Sequence, residues 1–195
     1  RYLLEQGKDI RIQNLMLPAA GRENPVYTDL SQLAQARGGT VHWIGAGDEQ
    51  RIANIKIQCL HPQKEMLIAD TNAHSLVLKI SYDQFHLLLT GDIGTKEETL
   101  LLSNPATKNQ LADIQVLKLA HHGSRFSTSE EWLTALTPRW AVVSYGQDNS
   151  YGHPHVELLS RTETHSIKLF QTAKAGAIRL ETDGKTIQWE VYRQP

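Results

Sequence analysis

The sequence has little cysteine, no long apolar run and almost no net charge. Its single cysteine, Cys59, cannot form an internal disulfide or a thiolate metal site. No apolar stretch approaches the ~18–20 residues needed to cross a bilayer. Lys and Arg number 20 and Asp and Glu 21, for a formal net charge of −1, whereas a dedicated nucleic-acid-binding domain is usually basic. The composition therefore supports neither a disulfide scaffold, a membrane span nor a basic DNA-binding module.

Two catalytic signatures are also missing, and the chain starts abruptly. It contains neither a phosphate-cradling glycine loop nor a nucleophilic-serine elbow. It begins at Arg1, at the edge of a helix predicted over residues 2–8, so we expect the native sequence to continue upstream. A length of 195 residues with 40% hydrophobic content suits one folded core. We therefore predict a single domain over residues 1–195, truncated on its N-terminal side.

Hydrophobic periodicity predicts strands interleaved with helices. The predicted helices cover residues 2–8, 26–37, 96–102, 129–136 and 155–161. The predicted strands cover residues 14–17, 40–44, 52–60, 75–82, 85–90, 114–120, 140–144, 167–171, 177–181 and 186–192. Asp83-Gln84 and Asp183-Gly184 read as hairpin turns. This order predicts sheets covered by helices.

Four polar segments lie where predicted strands meet loops, which is where sites usually form. In the first, Leu87-Leu88-Leu89-Thr90-Gly91-Asp92, an apolar strand ends on glycine and then a carboxylate. Asp92 could bridge two cations, since each carboxylate oxygen can bind one. A turn or N-cap aspartate is the alternative interpretation.

The second segment is His121-His122-Gly123-Ser124, directly after an apolar strand. Adjacent histidines in a strand point to opposite faces, so one would face the site and the other would lie behind it. Neutral imidazole binds metals, and charged imidazole acts as a general acid or contacts phosphate. Ser124 adds a hydroxyl, and we count it with His121 and His122 as a candidate catalytic residue. A pair of purely structural histidines is the alternative.

The remaining two segments add further histidines. In His153-Pro154-His155 the spacing lets both imidazoles enter one pocket if the chain is extended, or they are surface residues. The segment from Asp70 to Ser75 places Asn72 and His74 before a strand, although a surface or capping role is the simpler interpretation of His74. Oxygen and imidazole ligands without thiolates suit Zn²⁺ or Mn²⁺.

Four stretches carry a family resemblance: NAHSLVLKI, FHLLLTGD, VLKLAHHGSRFST and AVVSYGQDNSYGHPHVELL. Together they resemble the metallo-β-lactamase-like domain of the ComEC family of DNA-uptake channel proteins. The family pattern runs N-x-x-S-L-V-L, L-T-G-D, L-K-x-x-H-H-G-S and S-x-G-x-x-N-x-Y-x-H-P-H. Every element is present in this order.

The resemblance implies an α+β fold, namely the C-terminal portion of an αββα sandwich with a one- or two-metal site at the sheet edges. It makes Asp92 a bridging ligand and gives His153 or His155 the late histidine position. His121 and His122 would line the site, one acting on the phosphate, and Asn72 sits near a position where many relatives have a ligand histidine. Zn or Mn would be the cofactor.

The implied function is a metal-dependent DNA phosphodiesterase for natural transformation. Its partners would be DNA and the membrane channel part of the same bacterial protein, with this domain on the extracytoplasmic side of the inner membrane. The fold's main ligand motif, H-x-H-x-D-H, has no match in this sequence, so we expect these 195 residues alone to be inactive. The alternatives are a non-catalytic binding or assembly domain, and a lactamase or thioester hydrolase that shares only the fold.

Overall fold

The computed structural model describes residues 1–7, 10–66 and 71–192. Its helices are α1 (Tyr2–Gln6), α2 (Pro25–Ala36), α3 (Thr95–Ser103), α4 (Pro105–Gln110), α5 (Glu130–Leu136), α6 (Val156–Thr164) and α7 (Thr172–Ala175). Its strands are β1 (Asn14–Pro18), β2 (Thr40–Ile44), β3 (Glu49–Ile52), β4 (Ile55–His61), β5 (Val77–Tyr82), β6 (Phe85–Leu89), β7 (Val116–Lys118), β8 (Trp140–Val143), β9 (Lys168–Gln171), β10 (Ala177–Thr182) and β11 (Ile187–Tyr192).

The main sheet has seven strands in the order β3-β4-β5-β6-β7-β8-β9. Strands β3 to β6 pair antiparallel, and β6 to β9 pair parallel. A separate parallel pair, β1-β2, is packed by α2. The parallel half matters for function, because the carboxyl ends of β6, β7, β8 and β9 all lie at one edge.

Helices α3, α5 and α6 cover one face of the main sheet. They contribute Leu101, Trp132, Leu133, Leu136 and Leu158 to a core that also contains strand residues of β5 to β8. Helix α5 begins where the Ser129 side chain accepts a hydrogen bond from the Trp132 N–H, and it carries two acidic residues in its first turn. Both features favour a helix start at this point.

The hairpin β10-β11 covers part of the opposite face through Trp189. The Trp189 ring stacks on Phe170 of β9 with a centroid distance of 4.2 Å and lies 6.4 Å from the Trp140 ring of β8. Along β8, Ala141 and Val143 are buried in the core while Trp140 is only partly buried. Successive side chains of β8 therefore point to opposite faces of the sheet, one set towards the helices and the other towards the hairpin.

The predicted α+β class is confirmed: the described residues form a central mixed sheet of seven strands and two smaller two-stranded sheets, together with helices. The predicted strand over residues 52–60 corresponds mainly to β4, which begins at Ile55, while β3 lies largely before that range and was not predicted. Helices α4 and α7 were not predicted either. Lys8, at the end of the first predicted helix, and Asp70, at the start of the fourth polar segment, lie outside the described residues.

Candidate functional site at the carboxyl edge of the parallel strands

The parallel strands deliver the predicted site residues to one edge. Strand β6 ends at Leu89, three residues before Asp92, and β7 ends at Lys118, three residues before His121. The loop that follows β8 carries His153 and His155. The order of strands, rather than proximity in sequence, therefore assembles these side chains.

Asp92 is held by its own backbone. Its N–H donates a hydrogen bond to the Ser75 hydroxyl over 2.9 Å. The preceding Gly91 has φ +55, and a Cβ there would lie 2.5 Å from the Ser75 Cβ. Glycine is thus required both for the left-handed conformation and for the close approach of Ser75. The Asp92 carboxylate remains about one-third exposed at the edge.

His121 and His122 lie in a turn and not in a strand, which differs from the prediction. Both have left-handed backbone, with φ 47 and 53, a conformation uncommon for non-glycine residues. The His121 N–H donates to the Gly91 carbonyl over 3.2 Å, which ties this turn to the Asp92 loop. Strand alternation therefore does not decide which histidine faces the site.

His122 points its ring towards Asp92. Its Nδ1 lies 2.8 Å from the Ser144 carbonyl oxygen, and its Nε2 lies 3.6 Å from Asp92 Oδ2. A carbonyl only accepts, so Nδ1 carries a proton, and in neutral His122 the Nε2 lone pair faces the carboxylate. The 3.6 Å between Nε2 and Oδ2 exceeds a hydrogen-bond distance, and both atoms carry lone pairs of the kind that bind a cation.

His153 is the centre of a cluster of imidazoles. Its ring centroid lies 5.8 Å from that of His121 and 4.8 Å from that of His155. The Asn149 side chain fixes its backbone by accepting from the His153 N–H at 2.9 Å and donating to the His153 carbonyl at 2.7 Å. Burial, followed by the neighbouring histidines, lowers the pKa of His153. The neutral ring, which has a lone pair to offer, is favoured.

His155 is oriented differently. Its ring atom Nδ1 accepts a hydrogen bond from the backbone N–H of Arg125 over 3.1 Å. Its backbone N–H donates to the Gly123 carbonyl over 2.9 Å. Because Nδ1 is the acceptor, a neutral ring carries its proton on Nε2. In this arrangement His155 presents a hydrogen-bond donor, which suits a phosphate oxygen.

Lys118 belongs to the site and was missed by the sequence reasoning. Its Nζ donates to the Gly91 carbonyl over 3.0 Å and lies 3.9 Å from Asp92 Oδ1. Burial lowers the pKa of Lys118, and Asp92 opposes that shift. A lysine inside the apolar run Val116-Leu117-Lys118-Leu119 was the available signal, since an isolated charge in a buried strand needs a partner.

Ser124 and Asn72 lie beside this edge. The Ser124 hydroxyl is buried and accepts a hydrogen bond from the Phe126 N–H over 3.2 Å. Asn72 is in a short 3-10 turn, three residues before the Ser75 that holds Asp92. Their predicted catalytic and ligand roles stay predictions.

A divalent metal such as the one predicted needs three or more protein ligands gathered at one place. The Asp92–His122 pair has the right chemistry for two ligands of one ion. Among the residues that the structure describes, however, no group of three or more His, Cys, Asp or Glu side chains is placed to hold a metal ion. The described residues thus do not form a complete metal site.

Sequence comparisons identify relatives of this chain. It is 30% identical over 185 residues, 95% of its length, to ComE operon protein 3 of Bacillus subtilis. It is 37% identical over 125 residues (64% of its length) to competence protein ComA of Neisseria gonorrhoeae, and 32% over 135 residues (69%) to recombination protein 2 of Haemophilus influenzae. Over much or nearly all of its length, the chain is therefore similar to proteins of the ComEC family. The predicted resemblance is confirmed.

The chain spans only about a fifth of its relatives' lengths, namely 23%, 18% and 16% of those three proteins. No protein-family model matches it. Within the described part of the chain, none of the helices is both long and apolar enough to cross a membrane.

Two solved structures are also similar. One is described as a metal-dependent hydrolase from Parabacteroides distasonis, with a TM-score of 0.45, 15% identity and coverage of 72% of this chain and 61% of that one. The other is described as a zinc-dependent hydrolase of the metallo-β-lactamase superfamily from Thermotoga maritima, with a TM-score of 0.40, 12% identity and coverage of 65% and 60%. Both TM-scores are below 0.5, and the α+β fold is described from the chain's own strand order.

Proposed function

We propose that this chain is part of a metal-dependent phosphodiesterase that acts on DNA during uptake by a bacterial cell. The observation that carries the proposal is the gathering of Asp92, His122 and the His121–His153–His155 cluster at one sheet edge. The names of the relatives, which refer to competence and recombination, support DNA as the substrate.

The proposed metal would supply an activated water and stabilise the oxygens of the phosphate. Asp92 and His122 would be two of its ligands, and Zn²⁺ and Mn²⁺ both suit such oxygen and nitrogen donors. The other ligands would come from a motif of the H-x-H-x-D-H type, which this sequence lacks. We therefore propose that the domain continues upstream in the parent protein, on the extracytoplasmic side of the inner membrane and joined to a channel.

The residues of this chain have separable tasks in the proposal. Lys118 and Ser75 hold the Asp92 loop, so that its carboxylate faces His122. The Nε2–H of His155 donates to a phosphate oxygen, while the lone pair of neutral His153 takes a proton or a metal. The exposed fraction of Asp92 leaves the edge open to a strand of DNA.

The test is cleavage of single- and double-stranded DNA by the full-length protein that carries this sequence, with Mn²⁺ or Zn²⁺ added. Asp92→Asn should abolish cleavage, because asparagine keeps the size of the side chain but removes its charge. His122→Ala should reduce the rate about 10²–10⁴-fold.

The control is His165→Ala, which removes a histidine that contacts Glu130 rather than any residue of the site. This variant should cleave DNA like the wild type. If the wild type and Asp92→Asn are equally inert over a range of metals, the nuclease proposal is wrong, and a non-catalytic binding or assembly domain replaces it.

A further inference from the structure

Three exposed apolar side chains lie close in sequence to the histidine cluster. Tyr151, Val156 and Phe126 are 77%, 73% and 71% exposed, and among the large hydrophobic residues described only Tyr2, at 75%, is comparably exposed. All three flank the cluster in sequence. Single exposed apolar residues are ordinary on protein surfaces, but a group of them at one functional edge indicates a binding contact.

The two aromatic rings connect to the cluster through a series of contacts. Tyr151 stacks on His153 with a centroid distance of 5.8 Å and an interplanar angle of 23°. On the other side, the Arg125 N–H donates to His155, and Phe126 is the next residue. Tyr151 therefore contacts the cluster directly, and Phe126 follows the residue whose N–H bonds to His155.

Phe126 is exposed although its backbone is fixed. Its N–H donates to the Ser124 hydroxyl over 3.2 Å, and its carbonyl accepts from the Thr95 N–H over 3.0 Å. These two bonds hold the residue while its ring points outwards. A ring held exposed in this way is preorganised to receive a flat apolar group, since little backbone entropy is lost on binding.

Charge alone gives this edge little attraction for DNA. The Arg125 guanidinium is 2.7 Å from Glu157, and Lys118 lies beside Asp92. The whole chain has a formal net charge of −1. Binding of DNA through phosphate contacts and counterion release would therefore be weak here, so a strand needs a second source of affinity. Stacking of bases on aromatic rings is such a source.

We propose that Tyr151 and Phe126 stack on unpaired bases of a DNA strand whose phosphates lie over the histidine cluster. This inference rests on the proposed function and adds the means by which the substrate is held. Bases within a duplex are already stacked and paired, so the edge selects single-stranded DNA. The recognition is independent of sequence, because every base offers an aromatic face.

The test measures binding by the chain in EDTA, which keeps cleavage out of the readout. Three fluorescent probes are used: a single-stranded 12-mer, the same strand with abasic sites replacing its bases, and the duplex. The wild type should bind the single strand at least tenfold more tightly than either of the other probes. Tyr151→Ala and Phe126→Leu should each weaken single-strand binding about 5- to 100-fold and leave abasic-strand binding unchanged.

Matched variants separate stacking from other effects. Tyr151→Phe keeps the ring and should bind like the wild type. Tyr192→Ala removes an exposed ring from β11, a strand of the separate hairpin sheet, and should have no effect. A 2-aminopurine base in the single strand should be quenched by the wild type and by Tyr151→Phe but less by Tyr151→Ala. Circular dichroism verifies that each variant is folded.

Three results would overturn the inference: no binding of the single strand, equal loss of affinity for normal and abasic strands in the alanine variants, or unchanged affinity in Tyr151→Ala and Phe126→Leu. If the full-length protein still cleaves DNA in an Asp92-dependent manner, only the stacking inference fails. If the wild-type chain binds as expected but the full-length protein cleaves nothing, the hydrolase proposal fails and a strand-binding domain remains.

Discussion

Glu98 is a fully buried carboxylate whose oxygens meet the start of α5. They accept hydrogen bonds from the N–H groups of Thr128 and, over 2.9 Å, of Ser129. Burial raises the pKa of Glu98, while these hydrogen bonds and the nearby Arg161 lower it. The side chain thus ties α3 to the loop that leads from the histidine pair into α5.

We expect Glu98→Ala to reduce the free energy of unfolding by about 3 kcal/mol. The substitution leaves two backbone donors without their acceptors and opens a cavity, each of which is costly in a buried place. Urea denaturation followed by circular dichroism measures the change. Glu131→Ala, in the exposed first turn of α5, is the control and should change stability by less than about 0.5 kcal/mol. Equal effects of the two variants would contradict the buried role of Glu98.

The Cys59 thiol should be unreactive towards alkylating reagents in the folded chain. Its thiol is 2% exposed and donates to the His61 carbonyl over 3.2 Å. Burial raises its pKa to about 12, so the reactive thiolate is scarce at neutral pH. Iodoacetamide at pH 8 should label Cys59 only as fast as the protein unfolds, and rapidly in concentrated urea, as followed by mass spectrometry. Fast labelling without denaturant would show that β4 opens locally.

At the scale of elements, the sequence predicts most of the main sheet because turns and periodicity agree there. The predicted hairpin at Asp83-Gln84 joins β5 and β6 as observed. The turn between β3 and β4 was not predicted. Ala53 has a φ of 50 in this turn, a conformation for which glycine or asparagine is the usual sequence signal. The polar, short β3 has no alternating pattern either, and only its pairing with β4 makes it a strand.

The β10-β11 turn depends on the charge of Asp183. Its carboxylate accepts from the N–H groups of Lys185 and Thr186 and from the Thr186 hydroxyl. Led by the Thr186 and Lys185 backbone bonds, these contacts lower the pKa of Asp183 to about 2. Because the pKa in the unfolded chain is about 3.9, Asp183 stabilises the fold above about pH 4 and loses this effect as the pH falls towards 2.

We therefore expect the stability of wild type relative to Asp183→Asn to shrink as the pH falls from about 5 to 2. Asparagine retains an acceptor oxygen but does not titrate in this range. Because the other carboxyl groups titrate in both proteins, the difference in stability between them reports the titration of Asp183 alone. Urea denaturation at each pH measures it. A difference that is constant with pH would show that the turn is held by geometry and not by the charge.

At the scale of the whole molecule, the sequence predicts where the site residues meet but not how they are oriented. Asp92, His121 and His153 each follow a predicted strand, and parallel order brings such positions to one edge. Orientation depends on contacts between distant residues, such as His122 with Ser144 and His155 with Arg125. No local pattern encodes these contacts, whereas Lys118 was overlooked although its place in an apolar strand is a local signal.

Metal should stabilise this chain very little. A ligand raises stability according to its concentration relative to its dissociation constant, and a pair of ligands such as Asp92 and His122 binds a divalent ion weakly. We expect about 0.1 mM Zn²⁺ or Mn²⁺ to raise the melting temperature by less than about 2 °C. Differential scanning fluorimetry tests this, with Asp92→Asn as the control. A large rise that Asp92→Asn removes, together with plasmid cleavage, would show that the site is complete in this chain.

The change from antiparallel to parallel pairing at β6 also sets an order of events during synthesis. The β3-β4 and β5-β6 hairpins close over two-residue turns, so they form early from local contacts. Each parallel pairing instead waits for a crossover: from Leu89 to Val116, from Lys118 to Trp140 and from Val143 to Lys168. A nascent chain that has reached Leu136 already holds Asp92 and the histidine pair, but neither His153 nor His155 has yet been made. The edge therefore lacks His153 and His155 until the crossover from β8 to β9 has been synthesised.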